Sequence, residues 1–446
     1  MTDIPEHIFK AYDIRGIYGQ DLTDETAYLF GRGLVQYLNA SAVAVGRDMR
    51  VSSPKLAESL MKGIIDQGAN ASDLGEISTD SLYFAVGKFG YPAGVMITAS
   101  HNPSEYNGLK VCRENAEPLS GEGGLRQIRE LMIKGFRDSS YTGKQTERDI
   151  LPEFAEHVLS FIDPAKVKPF KLAIDAGNGM AGKILPPVFE KLKCEVTPMY
   201  FEPDGSFPNH PANPIEPENI KDLQEKVRQT GADLGAAFDG DADRVFLIDE
   251  NARPLGGDMI TALVARNLLK KEPGATVLYN LICSKTVPET IEKLGGTAIR
   301  TRVGHALIKP LMKEHNAVFG GEHSGHFYFR NNYFADSGLI ALLVCLELLS
   351  LENKLLSELV KEIDPYVRSG EINSKVKNIP ATLEKIKSHF SDLKIDELDG
   401  ITVEGEDFWF NVRPSNTEPL LRLNLEANSS EILKAKVAEV LEIIRG

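Results

Sequence analysis

The sequence contains few cysteines, a single tryptophan and no long apolar run. It has 4 cysteines and 1 tryptophan in 446 residues, and no two cysteines form a Cys-x-x-Cys pair. Scattered cysteines argue against a disulfide scaffold, and a cytoplasmic location is expected. The most apolar stretch, residues 338–350, contains Glu347. It is shorter than the about 20 residues that cross a bilayer, so it predicts a buried helix.

Positive charge is also scarce. The chain carries 50 Lys and Arg against 64 Asp and Glu, a formal net charge of −14. Nucleic-acid binding needs a net basic surface, so we expect no nucleic-acid partner. A small phosphorylated ligand stays compatible, because a few cations focused in a cleft outweigh a diffuse negative surface. A chain of this length exceeds what one hydrophobic core serves, which predicts three or four domains.

The first 365 residues repeat one plan three times. In each copy, β-branched strands alternate with helices, and the copies close on the apolar segments AGVMITAS, ADLGAAFD and NAVFGGEH. Such alternation predicts βαβ units. Past Tyr366 the pattern changes to a strand, a helix, antiparallel strands and a closing helix. We therefore predict three similar α/β domains with mixed, mainly parallel sheets (1–150, 151–252, 253–365) and a smaller α+β C-terminal domain (366–446) around a central cleft.

A polar loop follows the last strand of each copy. These loops are TASHNP (98–103), DGDADR (239–244) and GEHSGH (321–326). Ligands bind beyond the carboxyl ends of parallel strands, so the three loops are expected to face one cleft. In the first loop Ser100 is open to three interpretations: a nucleophile, a helix N-cap or a turn residue. A Ser-His-Asp triad is not expected, because adjacent side chains on a strand point to opposite faces.

The second loop contains three carboxylates, Asp239, Asp241 and Asp243, at alternate positions. Two like charges about 4 Å apart repel by roughly 4 kcal/mol at an effective dielectric near 20, so converging carboxylates indicate a shared cation. Oxygen ligands favour Mg²⁺ over Ca²⁺ here. An EF-hand is not expected, since Arg244 stands where that loop needs glycine. Apolar runs on both sides disfavour the plainer interpretation of an exposed acidic turn.

Two further loops and one glycine motif complete the candidates. Glu322, Ser324 and the histidines of the third loop are suited to bind vicinal sugar hydroxyls, and a zinc site lacks further ligands. RPSNTEP (413–419) is a candidate phosphate cradle, with a polar β-turn as the alternative. GNGMAG (177–182) matches a dinucleotide motif but lacks a well-placed ribose-binding acid, and it predicts a tight strand-to-helix turn.

With these loops assembled, the chain resembles the α-D-phosphohexomutase superfamily over essentially its whole length. The segments that carry the resemblance are KAYDIRG (10–16), TASHNP, DGDADR, GEHSGH and RPSNTEP, in the same order. The resemblance implies four domains around a cleft and an isomerase that interconverts hexose 1-phosphate and hexose 6-phosphate. GExSGH resembles the phosphomannomutase/phosphoglucomutase branch, which acts on mannose and/or glucose. Because His323 is unusual at its position, phosphoglucosamine mutase stays the alternative.

The resemblance also implies residue roles. Ser100 is the expected phosphoserine, with Mg²⁺ and a hexose 1,6-bisphosphate intermediate as cofactors. Catalytic roles fall on Ser100, His101, Lys110, Arg15 and His326, with Lys110 or His326 for proton transfer. The metal ligands are Ser100, Asp239, Asp241 and Asp243. The substrate contacts are Tyr12, Arg244, Gly304, His305, Glu322, Ser324, Arg413, Ser415, Asn416 and Thr417.

The expected partner is a phosphosugar, with no nucleic acid and no membrane, and both a monomer and a dimer stay open. Two functions of other classes compete with the mutase. A magnesium-dependent sugar phosphatase would use the same serine and metal without needing the 413–419 loop. A non-catalytic sugar-phosphate binder would not need Ser100 and the three aspartates intact.

Overall fold

The computed structural model describes residues 4–415 and 420–446. Their strands form four sheets of seven, four, four and five strands, each built from its own stretch of the chain. Among the described helices, none combines the length and apolarity needed to cross a membrane. Each of the first three sheets carries one of the polar loops at the end of a parallel strand.

The first sheet has the order β1-β5-β4-β2-β3-β7, with β6 paired to β5. Its strands are β1 (Ile14–Ile17), β2 (Ala42–Arg47), β3 (Asn70–Glu76), β4 (Ala93–Ile97), β5 (Tyr106–Arg113), β6 (Glu117–Pro118) and β7 (Gln145–Glu147). Its helices are α1 (Asp24–Leu38), α2 (Ser53–Asp66), α3 (Thr79–Phe89) and α4 (Arg126–Lys134). β2, β3, β4 and β7 run parallel, while β5 runs antiparallel to β4 and β1.

The second sheet has the order β11-β10-β8-β9. Its strands are β8 (Lys171–Asp175), β9 (Glu195–Met199), β10 (Leu234–Phe238) and β11 (Val245–Asp249), accompanied by helices α5 (Leu151–Leu159), α6 (Ala181–Ile184), α7 (Pro186–Phe189) and α8 (Lys221–Thr230). β10, β8 and β9 are parallel, and β11 is antiparallel to β10. The 177–182 glycine segment follows β8, and the short helix α6 begins within it at Ala181, which confirms that this segment is a strand-to-helix turn.

The third sheet has the order β13-β12-β14-β15. Its strands are β12 (Thr276–Asn280), β13 (Thr297–Thr301), β14 (Phe319–Gly321) and β15 (Phe327–Phe329), accompanied by helices α9 (Gly257–Lys271), α10 (Thr286–Lys293), α11 (His305–Glu314), α12 (Gly338–Glu352) and α13 (Leu356–Ile363). Three parallel strands and one outer antiparallel strand again form the sheet. The same four-strand arrangement therefore occurs in all three sheets, as β5-β4-β2-β3, β11-β10-β8-β9 and β15-β14-β12-β13, and the threefold repeat is confirmed.

The fourth sheet is antiparallel throughout, in the order β16-β20-β19-β18-β17. Its strands are β16 (Val367–Lys375), β17 (Lys394–Asp396), β18 (Ile401–Glu404), β19 (Phe408–Pro414) and β20 (Leu420–Ala427), with helices α14 (Ile379–His389) and α15 (Ser430–Arg445). This composition confirms the predicted α+β C-terminal unit. The candidate phosphate loop lies between β19 and β20.

One hydrophobic core serves the second and third sheets together. It includes Phe154 and Ile174 from the second unit, Val277 from the third, and Leu343 from α12. The predicted buried helix is confirmed, because residues 338–350 of α12 are all buried. Burying apolar surface is the main favourable term in folding, so this shared core holds the polar loops of the two sheets at a fixed separation.

Helices α1 and α2 pack backbone to backbone on one face of the first sheet. A Cβ atom added to Gly63 would lie 2.0 Å from the Tyr28 carbonyl oxygen, and one added to Gly31 would lie 2.4 Å from the Leu60 carbonyl oxygen. Side chains at these positions would force the helices apart. The close packing therefore depends on glycine.

Gly63→Ala tests this packing. The added methyl group meets main-chain atoms rather than a flexible side chain, so we expect a cost of about 1–3 kcal/mol and a Tm lower by about 3–10 °C in calorimetry. Glu58→Ala, on the exposed face of the same helix, is the control and should change stability by less than about 0.5 kcal/mol. Equal Tm values for the two variants would contradict the packing argument.

Candidate active site

The polar loops of the first three sheets meet at one place. Ser100 Oγ, after β4, donates a hydrogen bond to Asp239 Oδ2, after β10, at 2.6 Å. Arg244 and His326 form an antiparallel bridge that joins the second loop to the third. A Cβ atom on Gly240 would lie 2.5 Å from the Ser100 carbonyl oxygen, so the first two loops touch through their backbones. The equivalent loops are in contact, as the repeat predicted.

Ser100 lies in a turn and not on a strand. β4 ends at Ile97, and Ser100 adopts the left-handed conformation with φ 50°. Its hydroxyl lies 3.2 Å from His101 Nδ1. The expectation that these two side chains point to opposite faces is wrong, because the alternation of an extended strand no longer applies in the turn.

The imidazole of His101 is nevertheless a poor base for this serine. Burial and the nearby guanidinium groups of Arg244 and Arg15 lower the pKa of His101 to about 2. The ring is therefore neutral across the physiological range and has little tendency to take a proton. A triad-like activation of Ser100 by His101 has no support, despite the contact.

Three buried carboxylates form the centre of the site. The ligand atoms of Asp239, Asp241 and Asp243 all lie within 4.8 Å of one another. Lys110 Nζ donates to Asp241 Oδ2 at 2.7 Å and to Asp243 Oδ2 at 2.5 Å. Within the described part of the chain, Asp241 Oδ1 and Asp243 Oδ1 accept no hydrogen bond. Clustered oxygen donors with buried unsatisfied atoms fit a divalent cation.

The electrostatics of the carboxylate cluster also favour a bound cation. Burial raises the pKa of Asp239 to about 7, although the adjacent Arg244 guanidinium opposes this. Burial also disfavours the charge on Asp241, but the Lys110 ammonium, the Thr79 hydroxyl and the Arg244 guanidinium together outweigh burial and lower the pKa of Asp241. Keeping three buried carboxylates ionised requires compensating positive charge. Arg244 and Lys110 supply part of that charge, and a divalent cation would complete it.

The glycine segment after β8 supports the carboxylate loop from behind. Met180 N–H donates to the Gly240 carbonyl oxygen at 2.9 Å. A Cβ atom on Gly179 would lie 2.6 Å from the same oxygen. The glycines therefore allow close approach of another backbone segment, which accounts for their spacing without a dinucleotide.

The third loop presents Glu322 in a fixed position. Its Oε2 accepts a hydrogen bond from Tyr328 Oη at 2.7 Å, and its Oε1 accepts one from Gly304 N–H at 3.1 Å. Gly304 has φ 132°, and a Cβ atom there would lie 2.6 Å from Tyr12 Oη. The KAYDIRG segment, the turn at Gly304 and the GEHSGH loop therefore meet, which brings three predicted substrate contacts together.

His326 connects this loop to the carboxylates. Its Nδ1 lies 2.9 Å from Ser324 Oγ, and its Nε2 lies 3.9 Å from Asp243 Oδ1. On the other side of the site, Arg15 Nη1 donates to Asn102 Oδ1 at 2.7 Å, which fixes Arg15 against the serine loop. Of the predicted catalytic side chains, Ser100, Lys110 and His326 thus approach the carboxylates directly. His101 and Arg15 lie against the serine loop.

The fourth loop is described only in part. Arg413 Nη2 donates to Glu371 Oε2 at 3.3 Å, and Arg422 Nη2 donates to Ser415 Oγ at 3.4 Å. These hydrogen bonds run within the fourth sheet, and they do not place the loop against the serine loop. Of the predicted contacts, Asn416 and Thr417 lie outside the described residues, as does the side chain of His305.

Sequence reasoning missed two residues that hold the site together. Thr79, at the start of α3, donates through Oγ1 to Asp241 Oδ2 at 2.5 Å. Arg50 is buried beneath the serine loop and donates to its main chain. The one available signal was the charged segment GRDMR (46–50) at the end of an apolar strand, which is an unusual place for buried charge.

The fold and the site define a class of enzymes, the four-unit α/β phosphohexomutases. The chain belongs to the phosphoglucomutase/phosphomannomutase family. Family models match its alpha/beta/alpha domain I at residues 6–136, domain II at 152–256 and domain III at 256–366, and its C-terminal domain at 371–443. The predicted family and fold class are confirmed.

Relatives support the same assignment. The chain is 40% identical to a phosphomannomutase of Vibrio cholerae, with 98% of each chain covered. It is 41% identical to a phosphomannomutase of Methanocaldococcus jannaschii, covering 98% of this chain and 97% of the relative. A solved phosphoglucomutase/phosphomannomutase family protein of Burkholderia thailandensis superposes with a TM-score of 0.90 at 30% identity, covering 99% and 98%. The protein is an isomerase that interconverts hexose phosphates, as predicted.

Asp241→Asn tests the metal site. The amide keeps the shape of the side chain but removes its charge, so affinity for Mg²⁺ or Mn²⁺ in titration calorimetry should fall at least about tenfold. Glu225→Gln, on the exposed face of α8, removes the same charge at a distance and should bind as the unchanged protein does. Unaltered metal affinity in Asp241→Asn would show that the carboxylates do not form the site.

Proposed function

We propose that the chain is a phosphomannomutase/phosphoglucomutase in which Ser100 carries the transferred phosphoryl group. The reaction is the reversible interconversion of the 1- and 6-phosphates of mannose and/or glucose. The observation that carries this proposal is the position of the Ser100 hydroxyl, 2.6 Å from Asp239 Oδ2 at the carboxylate cluster and 3.5 Å from Arg244 Nη2. A serine at this point lies between anionic metal ligands and a phosphate-binding cation.

The proposed reaction has two transfers. The bond between phosphorus and Ser100 Oγ breaks as the free hydroxyl oxygen of the hexose phosphate forms a bond to phosphorus, and the hydroxyl proton passes to a base. The hexose 1,6-bisphosphate then turns in the cleft. The bond between its other phosphorus and the sugar oxygen breaks as Ser100 Oγ, left unprotonated by the first transfer, forms a bond to that phosphorus. The base returns its proton to the sugar oxygen, and the isomeric monophosphate is released. Such transfers depend mainly on positioning and on charge stabilisation.

The proposed cofactor is Mg²⁺, held by Asp239, Asp241, Asp243 and an oxygen of phosphorylated Ser100. The donor set supports this, because Mg²⁺ prefers oxygen ligands and retains positions for phosphate oxygens. When bound, the ion would supply positive charge to the transferring phosphoryl group. Lys110 and Arg244 contact the same carboxylates and would supply further charge beside it.

We propose that His326 takes the proton from the sugar hydroxyl and that Lys110 stabilises the charge on the transferring phosphoryl group. Lys110 already donates to Asp241 and Asp243, which holds it as a cation at the phosphoryl group. His326 lies between the carboxylate loop and Ser324, so a sugar hydroxyl bound at the third loop would be within its reach. Arg15 would bind oxygens of the phosphoserine. His101 would pack beside the Oγ atom that carries the phosphoryl group.

The sugar would bind between the third and fourth loops. Glu322 would accept hydrogen bonds from vicinal sugar hydroxyls, and Ser324 would accept or donate hydrogen bonds at the same hydroxyls. The substrate contacts on one side of the sugar would be Tyr12, Gly304 and His305. Arg413, Ser415, Asn416 and Thr417 would hold whichever phosphate is not reacting. One cradle must then accept either end of the sugar, which explains its location on a separate unit.

The fourth unit is proposed to move during the cycle, so that water is kept from the phosphoserine. Its contacts with the third sheet are partly polar and exchangeable, for example Arg300 with Asp396 at 3.1 Å and with Glu404 at 2.8 Å.

The domain boundaries at 150, 252 and 365 stay predictions. So do a cytoplasmic location and the choice between a monomer and a dimer.

Ser100→Ala tests the phosphoryl carrier. Removing the hydroxyl removes the acceptor, so mutase turnover should fall by several orders of magnitude while the fold is kept. Intact mass spectrometry after incubation with glucose 1,6-bisphosphate should show one added phosphoryl group on the unchanged protein and none on the variant. Ser104→Ala changes an exposed serine four residues further along the chain, and this variant should behave as the unchanged protein. Near-normal turnover in Ser100→Ala would remove the proposed role.

A substrate panel tests the specificity. With Mg²⁺ and a trace of hexose 1,6-bisphosphate, we expect mannose 1-phosphate and glucose 1-phosphate to be converted to their 6-phosphates in a coupled assay. Conversion of glucosamine 1-phosphate alone would identify a phosphoglucosamine mutase instead. Release of inorganic phosphate without any 6-phosphate would identify a sugar phosphatase.

A further inference from the structure

Arg50 is a buried arginine that the proposed reaction does not use. Its side chain has no exposed surface. One terminal nitrogen, Nη2, donates to the carbonyl oxygens of Ser100 at 2.8 Å and Asn102 at 2.6 Å. The other, Nη1, donates to those of Pro103 at 2.7 Å and Tyr106 at 2.9 Å. All four carbonyl groups belong to the turn and strand start between β4 and β5.

The chemistry of the side chain suits this arrangement. A guanidinium is a planar fork with several donors in fixed directions, whereas a lysine ammonium is a point charge on a flexible stem. One guanidinium can therefore fix several carbonyl groups relative to one another. The turn needs such fixing, because Ser100 is held at φ 50°, a conformation that persists in non-glycine residues only when its surroundings impose it.

Asp48 compensates the buried charge. Its Oδ2 lies 3.2 Å from Arg50 Nε. Its Oδ1 accepts hydrogen bonds from Ser53 Oγ at 2.6 Å and from the Arg50 N–H at 3.0 Å. Buried charges are retained when they are paired and hydrogen-bonded, and Arg50 meets both conditions.

A segment of the second unit covers Arg50 from the other side. The Phe207 ring centroid lies 5.1 Å from Arg50 Cζ, within the range of a cation–π contact. A Cβ atom on Gly205 would lie 2.5 Å from Arg50 Cα, so the covering backbone is in direct contact. Arg50 is therefore enclosed between the serine loop and the unit that carries the carboxylates.

We propose that Arg50 is a positioning residue for phosphoryl transfer. It acts through the main chain of the serine loop and directs Ser100 Oγ toward the carboxylate cluster, so that a phosphoryl group on this oxygen faces the sugar hydroxyl. The inference rests on the proposed role of Ser100 as phosphoryl carrier. Transfer to a sugar hydroxyl depends on alignment, whereas loss of the phosphoryl group to water does not require a fixed acceptor.

Arg50→Lys tests the proposal, because it keeps a positive charge opposite Asp48 and removes the fork. The Arg50→Lys variant and the unchanged protein are each phosphorylated in a prolonged incubation with glucose 1,6-bisphosphate, and the sugar is then removed. Two rates are then measured by intact mass: transfer to added glucose 1-phosphate, and loss of the phosphoryl group in buffer alone. In Arg50→Lys we expect the rate of transfer to glucose 1-phosphate to fall about 100-fold and the rate of loss to water to stay within about twofold. The KM for glucose 1-phosphate in the mutase assay should change little.

Arg47→Lys is the matched control. Arg47 is three residues away at the end of β2 and donates to Asp73 at 2.7 Å, outside the serine loop. Its ratio of transfer to hydrolysis should equal that of the unchanged protein. A merely structural role of Arg50 would lower both rates of Arg50→Lys by the same factor, and an unchanged ratio would therefore overturn the proposal.

Phe207→Leu covers the case in which Arg50→Lys does not fold or cannot be phosphorylated. It removes the aromatic cover and leaves the guanidinium in place, so the ratio should fall in the same direction by about threefold or more. An unchanged ratio in a folded Phe207→Leu protein would overturn the proposal. If the unchanged protein itself never gains a phosphoryl group at Ser100, the proposed function fails instead, and the two failures are distinguished.

Discussion

The hydrogen bond between Ser100 Oγ and Asp239 Oδ2 joins two units of the chain, and the rest of the site depends on it. It can form only if the loops after β4 and β10 reach the same point. Glycine makes this approach sterically feasible, since a side chain at Gly240 would collide with the Ser100 carbonyl group. The repeated four-strand sheets bring equivalent loops to equivalent edges, and packing between units then brings those edges together.

Burying three carboxylates beside a serine sets the second constraint. The cost of desolvation is offset by Lys110 and Arg244, both of which contact the cluster. Two oxygens, on Asp241 and Asp243, accept no hydrogen bond from the described residues. The buried carboxylate oxygens therefore suit a divalent cation. The buried cations Lys110 and Arg244 suit an incoming phosphoryl group, because fixed charges act more strongly where water is excluded.

Much of this could be predicted from local sequence. The threefold plan, the buried helix at 338–350 and the tight turn at 177–182 follow from hydrophobic periodicity and glycine spacing, and the structure contains all three. The relation between Ser100 and His101 was predicted wrongly, because the strand rule was applied beyond Ile97, where the strand ends. A left-handed residue is not visible in periodicity when it is a serine rather than a glycine.

The sequence by itself determined the family, the order of the loops and the residue types that each loop offers, because those features are written in short contiguous segments. Only the tertiary structure decided which atoms meet. Thr79 bonds to Asp241 across 162 positions, and Arg50 bonds to the Ser100 main chain across 50. Such contacts form when separate elements pack against one another, and the local pattern around either residue carries no record of its partner.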